Sequence, residues 1–266
     1  MIKRKLGIVL ECVRGIDKLE VLEIIKKTGF ESTFTGEIDC EKVKAIKQKA
    51  DSIGIDLEFI HAPFDNINSM WLEGDDYVDI YNKMIQSIDS AAANNIPSVI
   101  IHLSSGWKPP AISDLGLARY DALVDYAENK GVVLAFENLR VVGNIAYFVD
   151  RYDGRECVKF CYDNGHEHCY TKTICWPDIF TYNICSTHIH DNFSRSPERI
   201  VDTDLHYLPF DGTFDFEKMM RKLDEYEYTG SLMLEVFNST KPEYLKMTPE
   251  EFIKTAYERI LKISQL

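Results

Sequence analysis

Gly131-Val132-Val133-Leu134-Ala135-Phe136-Glu137 decides the architecture of this chain: a glycine stop, five apolar residues, then a carboxylate. An unbroken apolar run of this length, bounded by glycine, predicts a strand buried on both faces, as in a parallel sheet. Apolar residues at helical spacing precede it over 113–130, and a second helical pattern follows over 144–151. Val158–Asp163 then repeats the theme, an apolar run ending in a carboxylate.

Working outward, the same alternation covers the chain. Strands are predicted at Leu6–Leu10, Ser32–Thr35, Asp56–His61, Ser98–His102, Val132–Glu137, Val158–Asp163, Ile184–His190 and Ser231–Val236. Helices are predicted at 17–28, 38–52, 75–94, 113–130, 144–151, 172–181, 214–228 and 249–264. Strict alternation requires parallel strands joined by crossover helices. With 266 residues, close to the roughly 250 of such a barrel, the expectation is an α/β fold: a (β/α)8 TIM barrel forming one domain over 1–266.

Gly29, Gly54, Gly131 and Gly230 fall where left-handed helix stops are needed, and Asn94-Asn95 serves the same purpose before the fourth strand. Asp17-x-x-Glu20 and Thr248-Pro249-Glu250-Glu251 read as helix starts. The sequence has no internal repeat, low-complexity tract or Gly/Ser linker. The connection 191–213 is long for a barrel loop, which marks it as functional or disordered.

A formal charge of −13 argues against a nucleic-acid binder, which needs clustered Lys and Arg. It fits a small-molecule enzyme, or a site where cations offset crowded carboxylates. The apolar run Leu6–Leu10 is too short for a signal peptide or a membrane span. Seven cysteines without a Cys-x-x-Cys pair point away from a disulfide framework and toward a reducing cytoplasm.

The seven histidines carry the chemistry. His61, His102, His166, His168, His188, His190 and His206 all fall at predicted strand ends or in the loops just after them, none in a helix body. In this barrel that edge is the functional face. Glu137, Asp163 and Glu235 occupy equivalent places, and a charge closing an apolar run must be paired, metal-bound or shifted in pKa. Each of these residues alone reads as rim packing, and Glu137 alone as an ion-pair partner of Arg140. Their convergence from six strands points to a metal site.

The ordered motifs Asp163-Asn164-Gly165-His166, His188-Ile189-His190-Asp191-Asn192 and Asp204-Leu205-His206, with His61-Ala62-Pro63, Glu137-Asn138 and Leu234-Glu235, resemble the sugar phosphate isomerase/epimerase superfamily of xylose isomerase-like TIM barrels. The resemblance implies a divalent metal (Mn²⁺, Mg²⁺, Co²⁺ or Zn²⁺) held by Glu137, Asp163, His188 and Glu235. It also implies Glu137 and Glu235 as an acid/base pair that moves a proton next to a sugar carbonyl through an enediolate. His166, Asp204 and His206 would contact the sugar or sugar phosphate, with His61 and His102 lining the site. A homo-oligomer in carbohydrate metabolism fits the same resemblance. Phe64, Trp71 and Trp107 would wall off water and stack on a sugar ring, or else pack at the rim or form a subunit contact. The Lys-rich stretch 42–49 reads as a solvated helix face.

The related apurinic-site endonuclease family is the alternative. Its trinuclear zinc pattern finds His61, His102, Glu137, Asp163, His166, His188, Asp204, His206 and Glu235. The acidic balance and the few top-loop cations, Lys108, Arg140, Arg195 and Arg199, weigh against a grip on DNA. One departure touches both resemblances: Pro209-Phe210-Asp211-Gly212 has Phe210 where the usual Pro-Gly-x-Gly has glycine.

Overall fold

A computed structural model describes residues 2–171, 173–195 and 203–266. Its strands are β1 (Leu6–Val9), β2 (Ser32–Thr35), β3 (Asp56–His61), β4 (Ser98–Ile101), β5 (Val133–Glu137), β6 (Val158–Asp163), β7 (Ile184–His188) and β8 (Leu232–Leu234). All eight lie in one sheet, ordered β7-β6-β5-β4-β3-β2-β1-β8. The ladders are parallel, with Gly7 opposite Ser32 and Met233, and Glu137 opposite Cys161. A parallel bridge between Ile189 and Leu234 joins the last two strands. The fold is the (β/α)8 TIM barrel that the alternation predicts.

The helices are α1 (Lys18–Thr28), α2 (Cys40–Ile53), α3 (Val78–Ala93), α4 (Asp114–Lys130), α5 (Val142–Arg151), α6 (Asn164–Tyr170), α7 (Trp176–Phe180), α8 (Phe216–Glu225) and α9 (Pro249–Ile263). The cap chemistry agrees with the sequence. Asp17 accepts from the Leu19 amide, and Thr248 and Glu251 form a reciprocal capping box with Pro249 in the first turn. Gly29, Gly54, Gly131 and Asn95 all take positive φ. Gly230 does not. Helix α8 ends at Glu225, so the left-handed residue is Glu227 at φ 54°, and Tyr228 N–H returns to Leu223 O.

Helix α6 is the element the periodicity misses. Its seven residues are too few to show a repeat, and its start depends on the Asp163 carboxylate, which accepts from the His166 amide at 2.6 Å. His166 and His168 therefore sit in a helix, not in a loop. The helix expected over 172–181 shrinks to α7, with Pro177 in its first turn.

The chain comprises two compact units. The first, Met1–Thr35, Gln48–Leu57 and Tyr162–Leu266, carries β1, β2, β7 and β8. There α1 packs on α9, with the Phe30 and Tyr257 rings edge to face at 5.1 Å. The second, Gly36–Lys47 and Glu58–Cys161, carries β4 and β5 beneath α3, α4 and α5. Its core is a ring cluster of Trp71, Tyr120, Phe136 and Phe148, with neighbouring centroids 5.0–5.6 Å apart. Burying each ring contributes about 1.5–3 kcal/mol. Trp71 is thus a core residue and not a sugar platform, its indole N–H donating to Leu103 O at 2.7 Å. Among the described residues no helix is long and apolar enough to cross a membrane.

Candidate metal and substrate site

In the second unit, Glu137 closes β5 and is fully buried. Its Oε2 lies 3.3 Å from His61 Nε2 and 3.1 Å from His102 Nε2. This histidine pair partners Glu137. The tautomer of His61 is fixed by its other nitrogen. Nδ1 sits 2.9 Å from the Ala62 carbonyl, which can only accept, so Nδ1 carries the hydrogen. A neutral His61 then turns its Nε2 lone pair toward a carboxylate, an arrangement that needs a proton or a cation in between. Phe64 stacks on the His102 ring at 4.3 Å and 21° while 43% exposed, which makes it a wall of this group. Trp107 is 40% exposed, with the Arg140 guanidinium 3.7 Å above its ring. Arg140 also donates to Gly106 O, and Arg199 lies outside the described residues.

The first unit holds the larger group. Asp163, at the end of β6, has its Oδ2 3.9 Å from His188 Nδ1, and the same nitrogen lies 3.5 Å from Glu235 Oε2. Three of the four expected metal ligands, Asp163, His188 and Glu235, thus come together within this unit; Glu137 belongs to the group just described. The Phe34 ring stacks on His188 at 5.1 Å and fixes its plane.

Asp204 and His206 extend the set. His166 Nε2 lies 3.0 Å from Asp204 Oδ2, and His206 Nε2 lies 3.4 Å from the same oxygen. His206 Nδ1–H donates to Glu235 O at 2.9 Å. It therefore repeats the His61 pattern, a backbone-anchored ring presenting Nε2 to a carboxylate. Ligating histidines characteristically have this outer hydrogen bond. Burial would lower the His206 pKa, but the Asp204, Glu235 and Asp163 charges outweigh it and push it up to about 10. Burial likewise raises Asp204, yet the His206 and His166 rings hold it well below the usual carboxylate range. His206 itself takes a left-handed φ of 46°, a strained conformation of the kind that persists at functional sites.

Two contributors escape the sequence reading. His190, part of a family motif there but given no role, is fully buried between Asp163 Oδ1 at 3.2 Å and Asp204 Oδ1 at 3.6 Å, and stacks on His206 at 4.0 Å. Neither of its ring nitrogens makes a hydrogen bond among the described residues. Gly165 makes room for that ring: a Cβ there would lie 1.8 Å from His190 Cε1. Tyr170, whose hydroxyl donates to Asp204 Oδ2 at 3.2 Å, carries no signal beyond its place at the end of α6.

Loop 203–215 is held by the buried Asp191 carboxylate, which accepts from the amides of Asn192, Phe210, Gly212 and Phe214 at 2.8–3.1 Å. Phe210 adopts φ 71°. The backbone keeps the left-handed turn that glycine would favour even though the side chain departs from the pattern.

The donor chemistry fits a divalent cation. Within the first unit His166, Asp204 and His206 form one set whose ligand atoms lie within 4.8 Å of one another, and His190, His206 and Glu235 form a second; in the other unit His61, His102 and Glu137 form a third. Mixed imidazole and carboxylate sets suit Zn²⁺, Mn²⁺, Co²⁺ or Mg²⁺.

The sequence model of one protein family, described as a xylose isomerase-like TIM barrel, matches residues 16–262. No curated protein matches the sequence. Solved structures do. The IolI protein with a bound zinc atom shares 19% identity at a TM-score of 0.80, covering 98% of each chain. D-psicose 3-epimerase from Clostridium cellulolyticum H10, solved with D-tagatose, shares 16% identity at 0.75, again over 98% of each. The 3-keto-D-glucoside 4-epimerase YcjR from E. coli shares 14% at 0.72, covering 97% of this chain and 100% of that one. At these identities the likeness is one of fold.

Proposed function

Because this chain belongs to the xylose isomerase-like TIM barrel family, we propose that it is a divalent-metal-dependent isomerase or epimerase of a sugar or sugar phosphate. The observation that carries the reading is the pair of backbone-anchored rings, His61 and His206, each presenting Nε2 to a carboxylate. The zinc of IolI and the epimerase activities named for two of the similar structures support it. Asp163, His188 and Glu235 would hold the metal, with Glu137 the fourth ligand that the family resemblance implies. A bound divalent ion supplies Lewis-acid polarisation of a carbonyl oxygen.

The chain's own residues do the rest. Glu235, beside His188 and the hydrogen-bonded His206, holds or releases a proton at Oε2, and the family resemblance gives Glu137 the partner role in the proton transfer. Asp204, between His166 and His206, orients substrate hydroxyls, and Phe64 covers the His102 ring against water. A proton leaving a carbon next to a carbonyl and returning on the other face inverts that carbon; returning to the neighbouring carbon, it isomerises the sugar.

Glu137→Gln and Glu235→Gln should each lower turnover at least about a hundredfold while the barrel still folds. The assay is exchange of the substrate C–H in D₂O with ketohexoses and their phosphates. An active Glu137→Gln enzyme would sink the assignment.

The abundance of His-carboxylate sets also favours one second reading, an endonuclease-like phosphodiesterase with three zinc ions. Metal content separates the two, one ion per chain against three. The charge of −13 weighs against a DNA substrate.

A further inference from the structure

A cleft of about 530 Å³ opens beyond the C-terminal ends of β1 and β8, with Glu11, Arg14, Lys18, Phe237, Ser239 and Thr240 among its walls. Its size is that of a small-molecule site. It begins one side chain from the candidate site: the Phe237 ring lies 5.5 Å from the His206 ring, and Thr240 Oγ1 is 3.4 Å from His206 O. The charges inside it do not cancel. Glu11 is paired with Lys18, its Oε1 2.8 Å from Lys18 Nζ and 2.7 Å from Thr35 Oγ1. Arg14 is anchored only through its backbone, its amide donating to Asn238 Oδ1 at 3.3 Å. Its guanidinium makes no hydrogen bond or ion pair among the described residues. The cleft therefore keeps one uncompensated cation, in a chain whose overall charge of −13 repels anions.

The geometry points to an anion pocket at the far end of the substrate site, in which Arg14 receives a phosphate or carboxylate carried by the sugar. This deepens the isomerase/epimerase reading and rests on it for the sugar itself. The planar fork of a guanidinium matches either anion with two parallel hydrogen bonds. Ser239 adds a hydroxyl on the same wall, and Phe237 keeps the sugar body between the anion and His206. Arg14 is then a specificity residue, acting on which substrate is held.

The test compares metal-loaded wild type, Arg14→Gln and Arg14→Lys. Calorimetry with D-glucitol, D-glucitol 6-phosphate and D-gluconate reads binding without turnover and separates phosphate from carboxylate. Deuterium exchange with D-fructose and D-fructose 6-phosphate reads turnover. Wild type should favour one of the anionic ligands over D-glucitol by about tenfold to a hundredfold, the worth of one charge-assisted contact. Arg14→Gln should bring that ratio to near one through KM, and Arg14→Lys should restore part of it. Wild type without anionic preference, or Arg14→Gln with the full preference, overturns the pocket. Arg14-dependent binding without exchange of any sugar would leave the pocket standing and remove the isomerase reading. Exchange with an unchanged ratio in Arg14→Gln would do the reverse.

Discussion

Replacing Asp191 by Asn probes how the loop bearing Asp204 and His206 is built. The wild-type carboxylate is fully buried and serves four amides, two on each oxygen: Asn192 and Phe214 on Oδ1, Phe210 and Gly212 on Oδ2. An asparagine keeps one oxygen. Its amide group, turned to the other side, meets two N–H donors with donors of its own. Two hydrogen bonds to a charged acceptor are lost, each contributing about 1.5–3 kcal/mol, for a total of roughly 3–6 kcal/mol. For a chain of this length 1 kcal/mol corresponds to roughly 2 °C in Tm, so the variant should melt about 6–12 °C below wild type. Hydrogen exchange gives the local readout: the Phe210, Gly212 and Phe214 amides should lose protection before the β5 and β6 amides do. The Asp191–Tyr207 bridge, which leads into His206, should loosen with them. A variant that melts within 1 °C of wild type, with those amides still protected, would refute the reasoning.

Gly165→Ala places a Cβ 1.8 Å from His190 Cε1; displacement of the ring should lower metal affinity at least about tenfold, and a calorimetric titration with Zn²⁺ matching wild type would contradict this. Glu167 is 7% exposed, and burial pushes its carboxyl up to about 7 from 4.5. Its contribution is full below pH 4.5 and is lost as pH rises through 7, a swing of about 3 kcal/mol. Glu167→Gln should remove that swing, so parallel stability–pH curves for the two proteins would rule the assignment out. Phe210→Gly should relieve the left-handed strain, about 1 kcal/mol, while losing ring contact with Phe216, 5.1 Å away; Tm within about 3 °C of wild type is expected, and a larger fall would mean that the turn depends on the ring.

Much of the fold is legible in the sequence because its signals are local. Runs such as Val158–Asp163 and helix starts such as Thr248–Glu251 bring their own turn, cap and periodicity, and the structure keeps them with shifts of a residue or two. Helix α6 is illegible for the opposite reason. Seven residues hold no periodicity, and its cap is an aspartate also read as the end of a strand. Trp71 shows a related limit: composition marks an aromatic near a functional loop, but only packing against Tyr120 and Phe148 places it in the core.

By itself the sequence determined an alternating βα chain with histidines and carboxylates at strand ends, since burial and periodicity act over a few neighbouring residues. Only the tertiary structure decided that His190 stands between Asp163 and Asp204, that His61 and His206 turn Nε2 toward a carboxylate, and that the Arg14 guanidinium lines a cleft without a partner among the described residues. Those facts depend on which ring nitrogen meets a carbonyl and which charge is already paired, and such pairings join residues far apart along the chain.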